Sequence, residues 1–185
     1  MSTTTDSTTA PAAAPAPTAA ATPWYAAYPA PKSEVVTISR EEVLFLLRAA
    51  VAASPDEQNQ HQQQGQGKKR DFVLVDLRRN DFEGGTIRGS VNLPAQSLPL
   101  TLPAVYALFK QAGVKKVIFY CGSSTGRGSR ATGWLADHIA AVGDKEMHSL
   151  ALAGGIKGWA AAGPEYVEWM DGYDAAVWAK SAPGC

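Results

Sequence analysis

A chain of 185 residues, 45% of them hydrophobic, suits one folded domain with appendages rather than two full domains. Its 17 basic and 17 acidic residues cancel, which argues against a dedicated binder of nucleic acid or of an anionic membrane, since either needs a basic excess. Two cysteines make no disulfide framework, and no apolar run approaches the roughly 18 residues that cross a bilayer, so a reducing compartment is expected: the cytosol, with the nucleus open by diffusion.

Residues 1 to 23 are almost entirely Ala, Thr, Ser and Pro, hold no basic residue, and read as a disordered tail rather than a targeting leader. Trp24, Tyr25 and Tyr28 follow among prolines, as an extended arm that packs on the domain or as a docking peptide; tail and arm together take up residues 1–33. The domain is expected over 34–170. Its first strand reads as 35–38. Ser39 with Glu42 three residues on has capping-box spacing, and the helix behind it runs through Val43, Leu44, Leu47 and Val51 to about Ser54. Residues 55–70, rich in Gln and Gly, read as a flexible insertion because strand-like sequence resumes at once.

Phe72 to Val75 and Val117 to Tyr120 are continuous apolar runs, as suits parallel strands buried on both faces. Between them Leu102 to Ala112 has helical spacing, with Val105, Leu108 and Phe109 on one side. A further helix is expected from about Arg127 to Val142, using Ala131, Trp134, Leu135, His138 and Ile139. The alternation predicts an α/β fold, a mostly parallel central sheet flanked by helices, with residues 171–185 as a C-terminal extension.

The informative feature is Cys121, at the end of the second apolar strand and followed by Gly122, Ser123, Ser124, Thr125 and Gly126 before a helix that begins at Arg127. Ligands of open α/β sheets bind beyond the carboxyl ends of the strands. A loop of small residues can turn its amides inward as an anion nest, and the helix N-terminus adds partial positive charge. Arg127 can fork two N–H groups onto an oxyanion. The same groups favour a thiolate at Cys121, the form in which a cysteine acts as a nucleophile. Arg130, one turn on, points either at the anion or into the protein. Ser124 and Thr125 either bond the thiolate or satisfy loop carbonyls. His138 and His148 read as a helix-face and a strand-end residue, and no cluster suggests a metal. Cys185, the last residue, reads as an incidental thiol rather than one that resolves an oxidised Cys121.

Three ordered motifs resemble rhodanese-like domains. The first is Asp76-Leu77-Arg78 with the stretch Phe82 to Pro94, the second Cys121, and the third Leu152 to Trp159 followed by Gly163. The five residues between Cys121 and Arg127 are similar to the C-x-x-x-x-x-R loops of the M-phase-inducer dual-specificity phosphatases and of the rhodanese-fold arsenate reductases. Sulfur-transferring rhodaneses usually have a shorter loop, and the added residue widens the nest from a sulfane sulfur to a tetrahedral anion. The resemblance also implies that Asp76 and Arg78 belong to a buried ionic network under the loop. Three positions depart from these relatives: Tyr120 and Thr86 stand where histidine is common, and the loop has no acidic residue. An alkoxide leaving group benefits from a general acid, whereas arsenate reduction depends on one less.

The expected function is therefore a Cys121-dependent enzyme acting on a small oxyanion or phosphorylated substrate, as an arsenate reductase or a phosphatase. Cys121 and Arg127 are its catalytic candidates, 122–126 its anion loop, and Asp76, Arg78 and Arg130 its supports. No cofactor is expected to be bound; glutathione or glutaredoxin, a thiol reductant protein, would supply electrons for arsenate. The alternatives are a sulfurtransferase working through a Cys121 persulfide and a non-catalytic binding module.

Overall fold

The computed structural model describes residues 22–52 and 70–181. The tail before residue 22, most of the Gln-rich insertion and Cys185 lie outside the described residues. The elements in chain order are β1 (Thr37–Ile38), α1 (Arg40–Ala52), β2 (Phe72–Asp76), β3 (Thr86–Ile87), β4 (Val91–Asn92), a 3-10 turn (Ala95–Ser97), α2 (Leu98–Gln111), β5 (Lys116–Tyr120), α3 (Arg127–Ala141), β6 (His148–Leu152), α4 (Gly155–Ala160), α5 (Pro164–Val167), β7 (Met170–Asp171) and α6 (Ala175–Ser181).

Five strands form a parallel sheet in the order β1-β6-β5-β2-β4, and β3 pairs antiparallel with β7 beside it. Alternation along the strands divides the core in two. Val75, Val117 and Phe119 face α2 and α3, where Leu98, Leu102, Phe109, Trp134 and Leu135 complete one cluster. Phe72, Leu74, Ile118 and Tyr120 face the other way, against Val43, Leu44 and Leu47 of α1 and Ile156 and Trp159 of α4. Because side chains alternate, Cys121 leaves β5 on the α3 face while Tyr120 points to the opposite one. The register sets Asp76 opposite Tyr120, so β2 and β5 end at the same edge of the sheet.

The capping box forms as its spacing predicts: Glu42 N–H donates to Ser39 Oγ at 3.1 Å, and Ser39 N–H to Glu42 Oε2 at 2.9 Å. The first strand is shorter than predicted, since Val35 and Val36 are exposed on an edge that only β6 pairs. The helix predicted from Leu102 begins at Leu98, because Pro99 falls in the first turn, where a missing N–H has no helical acceptor to lose. Spacing predicts Val51 and Leu108 on apolar helix faces, yet both are exposed. Among the described residues no helix is long and apolar enough to cross a membrane.

Candidate active site

Cys121 lies at the base of a cleft of about 550 Å³ beyond the carboxyl end of β5. Gly122, Ser123, Thr125, Gly126 and Arg127 line it from the loop side, and Asp81, Gln96, Arg130, Lys157, Trp24 and Tyr25 complete the wall. The closing motif explains how the loop is held. Ile156 N–H donates to the Cys121 carbonyl at 2.9 Å and Lys157 N–H to the Gly122 carbonyl at 3.0 Å. Two peptide planes are thereby pinned with their oxygens turned toward α4. Only glycine fits at Gly155, whose φ is +58° and where a Cβ would stand 2.4 Å from the Cys121 oxygen.

Among the described residues, none of the amides from Gly122 to Gly128 has a protein acceptor. Ser124 takes the left-handed conformation at φ +62°, uncommon for a residue with a side chain and suited to a nest in which successive N–H groups converge. The loop is braced from outside: Ser129 gives its N–H and its hydroxyl to the Ser124 carbonyl at 3.2 and 2.8 Å, and Arg130 N–H bonds the Gly126 carbonyl. Ser124 itself is turned inward and buried, its hydroxyl without a partner among the described residues, while Thr125 Oγ1 pairs with Ser123 Oγ at 2.9 Å. Neither hydroxyl satisfies a loop carbonyl.

Arg127 is engaged by a residue that sequence reasoning missed. Its Nη1 donates to Asp81 Oδ1 at 2.7 Å and its Nη2 to Asp81 Oδ2, a bidentate pair at the mouth of the cleft. The guanidinium holds the Asp81 carboxyl well below the usual carboxylate range. Arg127 is shifted upward, first by Asp81 and in smaller part by Cys121. Asp81 lies between the two parts of the first motif, Arg78 and Phe82, and its place shortly after the end of β2 was the signal available. Lys157, within the closing motif, is a second such residue: its stem runs over Gly122 and its side chain lines the cleft.

Arg130 points to the cleft, its guanidinium 3.5 Å from the centre of the Tyr25 ring. Asp76 and Arg78 do not line the cleft. They form a buried ion pair at 2.7 Å, and Arg78 also donates to the carbonyls of Glu83 and Gly85, which anchors the segment that carries Asp81. The two departures from histidine meet beside this pair. The Tyr120 hydroxyl is 2.6 Å from Thr86 Oγ1 and 2.8 Å from Ser90 Oγ, it accepts from Ile87 N–H, and Thr86 donates to Asp76 at 2.9 Å. Burial, then the Asp76 carboxylate, pushes the tyrosine hydroxyl above its ordinary range, so it remains a neutral link in the network.

A parallel sheet covered on both faces, with a cysteine-led loop of small residues at its carboxyl edge, is the architecture of a rhodanese-type domain. The chain belongs to the rhodanese-like domain family, whose sequence profile matches residues 54–162, more than half of it. Comparison with curated proteins finds no match. Among solved structures the chain is similar to a yeast protein tyrosine phosphatase of the rhodanese family, with 22% identity over 79% of this chain and 98% of that one and a TM-score of 0.57. It is similar also to an As-Sb reductase from Leishmania major, with 18% identity over 74% and 84% and a TM-score of 0.58. A second structure of that yeast protein, described as a Saccharomyces cerevisiae homolog of single-domain rhodanese and the Cdc25 phosphatase catalytic domain, matches at 23% identity over 78% and 91%, TM-score 0.56. At such identities these likenesses speak for the fold alone.

Proposed function

We propose that the chain is a cysteine-dependent enzyme for tetrahedral oxyanions, in which a Cys121 thiolate attacks arsenate or a phosphoryl group. The observation that carries this reading is the run of unsatisfied amides from Gly122 to Gly128 around the sulfur, with the carbonyls of Cys121 and Gly122 pinned away from it. Preset N–H dipoles stabilise charge that develops on the oxygens of an anion and need no reorganisation during the reaction. Gly122, Ser123, Ser124, Thr125 and Gly126 act through their backbone, and Arg127 carries the fixed positive charge. Asp76, Arg78 and Arg130 support the loop and the wall.

With a phosphate ester, the sulfur–phosphorus bond forms as the ester bond breaks, and water then releases phosphate from the cysteine. With arsenate, an external thiol such as glutathione joins Cys121 in a mixed disulfide while arsenic gains two electrons; glutaredoxin or a second thiol returns Cys121 to its reduced form. The yeast phosphatase and the Leishmania reductase share this fold, which is why both chemistries are kept. Asp81 bears on the choice. Held as a carboxylate by Arg127, it is in the wrong state to protonate a leaving group, which favours arsenate or esters with good leaving groups over alkyl esters.

The test is a panel of arsenate with glutathione and glutaredoxin, an aryl phosphate, and thiosulfate with cyanide, run on the full chain and on Cys121→Ser. Turnover of arsenate or the aryl phosphate, abolished in a variant whose circular dichroism is unaltered, is expected. Undiminished turnover in Cys121→Ser would refute the nucleophile, and turnover of thiosulfate alone would make the protein a sulfurtransferase.

A further inference from the structure

We propose that the aromatic arm ahead of the rhodanese-like domain is a second subsite, which takes the organic part of an aryl oxyanion ester bearing a further negative charge. This inference rests on the oxyanion-handling reading of Cys121 and names the substrate class that goes with it.

Trp24 and Tyr25 line the same cleft as Cys121, though they lie well before residue 54, where the family match begins. This wall is supplied from outside the stretch that the family profile matches. The arm is docked by specific contacts with α3. The Trp24 and Tyr28 rings meet Trp134 edge-on, at 6.1 and 6.2 Å between centroids, and Trp134 Nε1 donates to the Pro29 carbonyl at 2.9 Å. The backbone amides of Lys32 and Ser33 donate to Asp137 at 2.8 and 2.7 Å. Gly133 makes the approach possible, because a Cβ there would stand 2.4 Å from that of Pro31.

Three features describe what the cleft would hold. Its volume, about 550 Å³, falls in the range of sites for small organic molecules and far exceeds the need of a bare tetrahedral anion. Trp24 and Tyr25 supply flat apolar surface to the wall of the cleft, on which an aromatic ring can pack edge-on or offset. Arg130, stacked on Tyr25, and Lys157 have no carboxylate partner among the described residues, so two cations beyond Arg127 face the same space. The acid–base state of the site agrees. With Asp81 ionised against Arg127, the leaving group departs without a proton from it, which a phenolate tolerates better than an alkoxide.

The experiment reads binding, independent of turnover: protection of Cys121 from iodoacetamide in the full chain carrying Cys185→Ser. The probes are inorganic phosphate, phenylphosphonate and 4-carboxyphenylphosphonate. Phenylphosphonate is expected to protect at about tenfold lower concentration than phosphate, and the carboxylated probe at lower concentration still. In Trp24→Ala/Tyr25→Ala the advantage of phenylphosphonate over phosphate should disappear, and in Tyr25→Phe much of it should remain because the ring is kept. Arg130→Ala should remove the advantage of the carboxylated probe over phenylphosphonate. Protection by phosphate with no gain from the ring would overturn the subsite and leave the oxyanion reading standing. An aryl preference that survives loss of both rings would assign it elsewhere and refute the arm. Failure of every anion to protect would overturn the oxyanion reading itself, and this inference with it.

Discussion

Arg78 and Arg127 are each held by an aspartate from the end of β2 or the segment just after it, but the two surroundings differ. The Arg78–Asp76 side chains are 3% and 0% exposed, and the rest of their hydrogen-bonding capacity is taken up by Thr86 and by backbone groups of the β2–β3 segment. The Arg127–Asp81 side chains are 24% and 51% exposed and open on the cleft. A buried pair is costly to break because a lone charge cannot recover its hydration, whereas a partly exposed pair exchanges readily with water or another anion. The first region is therefore scaffold. The second is the part of the molecule whose partners can change.

Breaking the buried pair should have the largest effect. Asp76→Ala strands the Arg78 guanidinium and should cost about 3–5 kcal/mol in urea unfolding, a large share of the roughly 5–15 kcal/mol typical of a domain. A loss below about 1 kcal/mol would mean that the carbonyls of Glu83 and Gly85 suffice for Arg78, and that the region is less tightly coupled than its geometry suggests.

Tyr120→Phe probes the neutral side of the same scaffold. It removes the hydroxyl that meets Thr86, Ser90 and the Ile87 amide, and should cost about 1–3 kcal/mol without changing the alkylation of Cys121, since Tyr120 points away from α3. A changed rate of alkylation would show that the two sides of β5 are not independent.

The exposed pair should show the reverse balance. Asp81→Asn should alter stability by less than about 1 kcal/mol, yet phosphate should protect Cys121 at severalfold lower concentration once the Arg127 fork is released. Weaker protection would instead make Asp81 a residue that positions Arg127. The pH dependence follows from the direction of the shift. A carboxyl lowered in the folded state contributes above its ordinary range and loses that contribution only as pH falls through the lowered value. The ratio of the two protection constants should therefore be flat from about pH 5 to 8. A ratio that changes within that window would mean Asp81 is not held ionised.

The sequence alone determined the parallel sheet, the strand end that bears Cys121, the loop of small residues after it and the helix start at Arg127. Each rests on local chemistry: runs of apolar residues, small residues in a row, and helical spacing read within a few positions. Tertiary structure decided the rest, because it joins residues far apart in the chain. The sequence could not pair Asp81 with Arg127, or show that Tyr120 and Thr86, two separate departures from histidine, complete one network. The alternatives left open for Arg130 were resolved only when Tyr25, more than a hundred residues earlier, came to lie under it. A residue's local pattern fixes its backbone and its face, while its partners depend on which elements pack against that face, and here α3, α4 and the arm made that choice.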